Sequence, residues 1–191
     1  MHKGRLEAFS DGVFAIIITI MVLELKVPHG AETVSLKPLL PVFISYVLSF
    51  VYIGIYWNNH HHLMQAAKSV NGSVLWFNLH LLFWLSLIPF VTAWMGENGF
   101  AYVPIALYGF VLLMNGIAYS LLSGALIKIH GKDSALSRAV GNGAKGKVSV
   151  AVYAAAILLS FINSWVSFAL YIIVAGIWFI PDKRIEKRLD E

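Results

Sequence analysis

The feature that most limits how this chain can fold is a series of long segments without a single charged residue. The longest runs from Val148 to Ile180 and contains 33 residues. Three others are Leu39–Trp57, Val74–Met95 and Phe100–Ile127. A helix needs about 20 apolar residues to cross the hydrocarbon core of a bilayer. Because 59% of its residues are hydrophobic and only 13% are charged, the chain is predicted to be an all-α integral membrane protein.

The long final segment is predicted to cross the membrane twice. As one helix it would be about 50 Å long, far more than the roughly 30 Å of the hydrocarbon core. Asn163 and Ser164, near its middle, are typical of a tight turn between two short helices. The sequence therefore predicts one six-helix transmembrane domain over residues 1–191, with spans at residues 6–26, 39–62, 73–96, 100–127, 147–163 and 165–181.

The basic residues predict the orientation of these spans, because Lys and Arg are enriched in cytoplasmic loops. With six spans, twelve of the 14 Lys and Arg residues fall on one side, and only Lys26 and Lys37 fall on the other. Both termini are therefore predicted to be cytoplasmic, and the glycine-rich segment Lys128–Lys147 is predicted to be a flexible cytoplasmic loop. Membrane orientation explains the net charge of +4, so no nucleic-acid partner is predicted.

The first helix is the shortest span and the one least suited to face lipid. Only twelve uncharged residues separate Asp11 from Glu24, so a complete span brings Asp11 to membrane depth, where a charge usually faces protein or water. At 100° per residue, four residues share a stripe about 60° wide: Gly12, Ile16, Thr19 and Leu23. The stripe fits two interpretations. It is either a packing surface, with the Thr19 hydroxyl bonded one turn back, or the lining of an ion pore.

Polar residues on the second and third spans match the depth of the charged start of the first helix. The second span ends in the sequence WNNHHH, and the third span carries Asn78 and His80. We predict an interhelical hydrogen-bonded cluster that holds the first helix in place; a proton relay is the alternative. In this cluster Arg5, Ser10 and Asp11 would meet polar groups of the second and third spans.

Several classes of function lack their motifs in this sequence. Three consecutive histidines point 100° apart on a helix, so at most two could bind one ion, and no structural metal site is predicted. The absence of nucleophile and phosphate-binding motifs argues against an enzyme or a cofactor. The absence of a TVGYG-like loop excludes a potassium filter made of backbone carbonyls.

The start of the first helix resembles a known family signature. Its segment R-x-x-x-F-S-D consists of Arg5, Phe9, Ser10 and Asp11, and it is similar to the first-span motif of the transmembrane protein 175 family. These are the endosomal and lysosomal potassium channels and their prokaryotic relatives. WNNHHH and the LIPF sequence of Leu87–Phe90 also resemble that family. The resemblance covers essentially the whole chain, whose single six-helix repeat is similar to the prokaryotic branch and implies the cell membrane of a prokaryote.

The resemblance implies a potassium-favouring cation channel. It implies a homotetramer whose four first helices surround a central path for K⁺ and other monovalent cations. Ile16, Thr19 and Leu23 would line this path, with an apolar gate and a permeating K⁺ near Thr19. The motif residues Arg5, Ser10 and Asp11 would pack against polar residues of the second and third spans. The candidates there are Trp57, Asn58, His61 and Asn78, with the choice among His60, His61 and His62 left open. Two other functions compete with the channel: a proton-coupled secondary transporter that uses Asp11 and a histidine, and a non-conducting membrane scaffold.

Overall fold

The computed structural model describes residues 3–131, 133–140 and 143–179. The regular secondary structure of this described part is entirely helical and contains no β-strand, which confirms the predicted all-α class. A 3₁₀ helix over Thr33–Leu39 runs directly into the second α-helix. The α-helices are α1 Gly4–Leu23, α2 Leu40–Ala66, α3 Gly72–Ser86, α4 Ile88–Glu97, α5 Tyr102–His130, α6 Ala135–Val140, α7 Ala144–Ser160 and α8 Ser164–Phe179.

Four helical stretches in the described residues are long and apolar enough to cross a bilayer. They are α1, the 3₁₀ helix with α2, α3 with α4, and α5. The predicted spans start and end within a few residues of these helices, although α2 continues four residues beyond the predicted end at residue 62. Length therefore supports the first four membrane crossings.

The third predicted span, residues 73–96, consists of two helices rather than one. Helix α3 ends at Ser86, α4 begins at Ile88, and the Leu87 N–H bonds the carbonyl of Trp84, three residues earlier. Pro89 causes this break, because it has no N–H to donate to a carbonyl one turn back and its ring crowds the preceding turn. The span predicted at residues 73–96 therefore contains a helix break at Leu87.

The final apolar segment folds into the predicted pair of short helices. The turn lies at residues 161–163, between α7 and α8. Trp178 Nε1 donates to Ser149 Oγ at 2.8 Å, and Ser167 Oγ donates to the Ala156 carbonyl at 2.6 Å. These two bonds pair the helices in antiparallel order. The predicted end of the sixth span at residue 181 and the C-terminal basic cluster lie outside the described residues.

The sequence predicted a flexible loop over Lys128–Lys147, but part of this segment is helical. Helix α5 continues to His130, and α6 follows within the segment. Leu136 of α6 is buried in the hydrophobic core. His130 Nε2 accepts hydrogen bonds from the backbone N–H groups of Lys68 at 2.9 Å and Ser69 at 3.3 Å. Burial of an apolar side chain and a bonded imidazole therefore order part of a glycine-rich segment.

The core of the bundle contains buried hydroxyl groups that are bonded within the protein. Tyr52 Oη donates to the Tyr171 carbonyl at 2.6 Å, and Tyr171 Oη donates to the Ile105 carbonyl at 3.2 Å. Ser49 Oγ lies 3.0 Å from Tyr108 Oη. A bilayer supplies no water to such groups, so internal partners remove the cost of burying them. These bonds join α2, α5 and α8 and leave α1 on the side of the bundle.

The close contact between α5 and Tyr171 predicts which glycine of α5 cannot be replaced by a larger residue. A β-carbon at Gly109 would lie 2.0 Å from Tyr171 Oη, whereas one at Gly124 would meet nothing within 4 Å. Alanine adds about 1 kcal/mol of helix propensity at either position, but overpacking costs about 1–3 kcal/mol. We expect Gly109→Ala to lower the melting temperature in detergent relative to Gly124→Ala. Equal melting temperatures would show that Tyr171 moves aside without cost.

The orientation inferred from the basic residues predicts which loops are accessible from outside the cell. The natural chain contains no cysteine, so single cysteines can be introduced without background. Asn98→Cys, after α4, should react with an impermeant thiol reagent in intact cells. Ser134→Cys, before α6, should react only after permeabilisation. Reversed labelling would contradict the orientation, and external labelling of both would contradict the number of spans.

Candidate functional site

Helix α1 has one face that packs against the chain and an opposite face that does not. Every third or fourth side chain is buried, as expected for one face of a helix: Leu6, Ser10, Phe14, Ile17 and Met21. The stripe Gly12, Ile16, Thr19 and Leu23 is centred about 150° around the helix from this buried face. The structure therefore places the stripe on the side of α1 that points away from the rest of the chain.

The side chains of the stripe are correspondingly open. Ile16 is 58% exposed and Leu23 is 75% exposed, and nothing lies within 4 Å of where a β-carbon of Gly12 would be. The Thr19 hydroxyl donates to the Ala15 carbonyl at 2.9 Å, the bond predicted for a hydroxyl in the middle of a helix. Packing within one chain thus does not explain the stripe.

A buried cluster of hydrogen bonds fixes the opposite face of α1. Asn78 Nδ2 of α3 donates to Ser10 Oγ at 3.0 Å, and Asn78 Oδ1 lies 2.8 Å from His60 Nε2 of α2. All three residues have no exposed surface. Because Asn78 uses one amide group for two partners, it connects α1, α2 and α3 at one point. Loss of such a bond leaves buried polar groups unsatisfied.

A second, half-exposed cluster lies beside the first on α1 and α2. Trp57 Nε1 donates to Asp11 Oδ1 at 3.0 Å. The Trp57 ring stacks on His61 with a centroid separation of 6.0 Å. His61 Nδ1 in turn lies 3.6 Å from Glu7 Oε1. The carboxylate of Asp11 therefore has a neutral donor as its partner, and the ionisable pair of this cluster is Glu7 with His61.

The structure brings some of the predicted members of the cluster together and leaves others apart. Of the histidines left open, His60 bonds the buried Asn78 amide, and His61 contacts Glu7, which was not among the predicted residues. Glu7 lies one helical turn before Asp11, so residue spacing alone could have indicated it. Asn58 is exposed and takes no part in these bonds. Arg5 is also exposed and lies on the same side of α1 as the stripe.

Both ends of α1 are bonded to neighbouring helices. Lys3 Nζ donates to the carbonyls of Met64 at 2.9 Å and Gln65 at 3.1 Å, in the last turn of α2. Lys26, just beyond the other end, pairs with Glu97 of α4. The hydrogen bond and charge of Glu97 raise the pKa of Lys26. Helix α1 is thereby attached at both ends as well as along one face.

The described residues contain no group of three or more His, Asp or Glu side chains able to hold a metal ion together. An apolar groove of about 370 Å³ runs between α1 and α4, and Ile16, Ile20, Pro89 and Phe90 line it. The groove adjoins the exposed stripe. One chain alone therefore offers an open surface along α1.

Comparisons with known proteins show which family this chain resembles. The sequence profile described as "Endosomal/lysosomal potassium channel TMEM175" matches residues 5–89. A protein named as a potassium channel in Chryseobacterium sp. (strain P1-3) is 56% identical over 191 residues, which is 100% of both chains. The rat "Endosomal/lysosomal proton channel TMEM175" is 30% identical over 116 residues, 54% of this chain and 23% of that protein.

A solved structure has the same fold. The crystal structure of a lysosomal potassium-selective channel TMEM175 homolog from Chamaesiphon minutus superposes with a TM-score of 0.79. It is 31% identical, and the match covers 93% of this chain and 96% of that one. Motif, full-length similarity and fold together show that this chain belongs to the TMEM175 family, whose members are ion channels and not enzymes.

Proposed function

We propose that this chain is a potassium-favouring cation channel that assembles as a homotetramer, with one α1 from each copy lining the ion path. The exposed stripe on α1 carries the proposal, because that helix is anchored by its opposite face. Lipid is a poor environment for this surface, since Arg5 and Thr19 lie on it. Other copies of the same helix would cover the stripe and leave a path along its axis. The names of the bacterial relatives supply potassium as the ion.

The stripe suggests how such a path would treat ions. Four copies of Ile16, Thr19 and Leu23 would form three rings, spaced about 4.5 and 6 Å along the axis. Narrow apolar rings exclude water, so Ile16 or Leu23 would form the gate. The Thr19 proton is engaged by the Ala15 carbonyl, so its oxygen lone pairs remain free. A permeating K⁺ near Thr19 would therefore meet a ring of oxygen acceptors.

The hydrogen-bonded clusters would set the rotation of α1 in this assembly. A rotation by one residue, 100°, would move the stripe away from the axis and bring a different set of side chains towards it. The bonds of Ser10 with Asn78 and of Asp11 with Trp57 oppose such a rotation. In this proposal they position the pore-lining residues without contacting the ion.

The remaining parts of the proposal concern the setting of the channel. Helices α7 and α8, with 17 and 16 residues, would complete six crossings in the membrane of a prokaryotic cell. Both termini would then be cytoplasmic, and the partners would be monovalent cations, lipid and further copies of the chain.

Measurement of conductance after reconstitution separates this proposal from its alternatives. A channel passes current down a gradient, a proton-coupled transporter couples two fluxes, and a scaffold does neither. Because the rat relative is named a proton channel, the recordings should include protons as a test ion.

The pore proposal predicts different effects for the members of the stripe. Ile16→Asn or Leu23→Asn should hydrate its ring and raise the current of all monovalent cations. Thr19→Ala should weaken the preference for potassium over sodium more than it lowers current, because its oxygens are lost. Val22→Asn is the matched control, since Val22 is exposed but lies about 90° from the centre of the stripe. Single-channel recording with potassium and sodium on opposite sides measures both effects. Unchanged conductance and reversal potential in all three stripe variants would place the ion path elsewhere.

The anchor proposal predicts a loss of stability that is separate from selectivity. Asn78→Leu removes both buried bonds of α1 and α2, and it should destabilise the protein by about 1–3 kcal/mol for each group left unsatisfied. Asn59→Leu is its control, because the Asn59 side chain bonds only the Ile55 carbonyl within α2. Heating each variant in detergent and recording the fraction that remains tetrameric measures this difference in stability.

The carboxylate of the second cluster needs its own test. Asp11→Asn keeps an oxygen that can accept from Trp57 but removes the charge. If Asp11 only positions α1, this variant should lose stability without a change in the potassium-to-sodium ratio. A stable tetramer with an altered reversal potential would instead show that Asp11 faces the ions.

A further inference from the structure

A second groove lies on the side of the bundle away from α1, between the start of α3 and the end of α5. It encloses about 590 Å³, within the range of roughly 300–1,000 Å³ that is common for small-ligand sites. Its floor is apolar, with Phe77 of α3 and Leu121 of α5. Gly124 also lines it, and the space beside Gly124 is open, since a β-carbon there would meet nothing within 4 Å.

Three of the four polar side chains that line this groove lie at one end, and the fourth, Ser120, donates its hydroxyl to the Gly116 carbonyl within α5. Asn71 and Ser73 line it at the start of α3, and Lys128 lines it near the end of α5. The two helices run in opposite directions, because Trp84 of α3 packs its ring against Phe110 of α5 at 5.7 Å. The apolar part of the groove therefore extends from these polar groups towards the middle of the bundle.

The polar end offers hydrogen-bond donors and a positive charge. Asn71 Oδ1 accepts the Val74 N–H at 3.0 Å, which leaves the Asn71 amide group as a donor. Ser73 adds a hydroxyl, and Lys128 adds an exposed ammonium group. Neither ion pair found in the described part of the chain involves Lys128. A phosphate group has only acceptor oxygens and a negative charge, so it complements all three.

The position of this groove indicates a lipid rather than a soluble ligand. Trp76, beside the polar end, is 74% exposed, and tryptophan is enriched where a membrane meets water. Phe83 and Leu121 are also exposed on these helices, as expected for surfaces that contact acyl chains. The positive-inside rule assigns Lys128 to the cytoplasmic surface, where basic pockets between helices bind anionic headgroups.

We propose that the groove binds an anionic phospholipid from the cytoplasmic leaflet. The phosphate lies between Lys128 and the donors of Asn71 and Ser73, and one acyl chain follows Phe77 and Leu121 inwards. The bound lipid then bridges α3 and α5. Because α1 takes no part in this site, the inference does not depend on the proposed ion path.

Native mass spectrometry of the detergent-purified protein tests the site with phosphatidylglycerol and phosphatidylcholine as probes. Wild-type protein should retain phosphatidylglycerol in preference to phosphatidylcholine. Lys128→Gln should weaken the retention of phosphatidylglycerol about fivefold, the effect of one basic residue at a membrane surface. Gly124→Leu should fill the groove and reduce the retention of both lipids. Lys147→Gln, at an exposed lysine of α7 outside the groove, should behave like wild type.

Several results would overturn the proposal. Unchanged retention of phosphatidylglycerol in Lys128→Gln and Gly124→Leu would place the lipid elsewhere. Competition by millimolar inorganic phosphate would identify a site for a soluble anion. If Gly124→Leu lowers the oligomeric mass while Lys128→Gln leaves lipid retention unchanged, the groove is a contact between copies of the chain. Lys128→Gln changes only an exposed side chain, so its result is independent of any folding defect in Gly124→Leu.

Discussion

The fold of this protein depends on the rule that polar groups inside a bilayer must bond one another, because no water is present to replace a missing partner. Asn78 meets this rule for three helices at once, with Ser10 on α1 and His60 on α2. The bond from Trp57 to Asp11, 100° further around α1, adds a second attachment to α2. A helix packed only by apolar side chains could rotate at small cost, since lipid solvates them equally well. These directional bonds give α1 one definite orientation.

The same bonds determine what α1 leaves uncovered. With its polar anchors turned inwards, the helix directs Ile16, Thr19 and Leu23 away from the chain. Lys3 at one end and Lys26 at the other bond α2 and α4, so tilting of α1 would break contacts at both ends. In the proposed channel, opening would then involve side chains of the stripe or concerted movement of α1 with its neighbours. Independent movement of α1 would be the least favourable way to open the proposed channel.

Much of the fold could be predicted because its signals are local. Uncharged length predicts the long helices, and residue spacing alone assigns the stripe to one face of α1. The break before Pro89 was also visible in the sequence, but hydropathy over a whole segment conceals it. The ordered α6 was missed because burial of Leu136 depends on helices distant in sequence. The choice of His60 over its neighbours depends on the rotation of α2 about its own axis. Packing of whole helices sets that rotation, and neither composition nor spacing records it.

The proposed ion path must favour cations without a charged filter, and the geometry of α1 accounts for this. In a tetramer, Thr19 would present oxygen lone pairs because its proton is committed to Ala15. Arg5 lies on the same side of the helix and would form a positive ring at one mouth. It is 14 residues before Thr19, or about 21 Å along the axis. A Debye length of about 8 Å at physiological salt screens an exposed charge over that distance. The neutral Thr19 oxygens between the apolar rings of Ile16 and Leu23 would therefore select the ion, and Arg5 would affect only its entry.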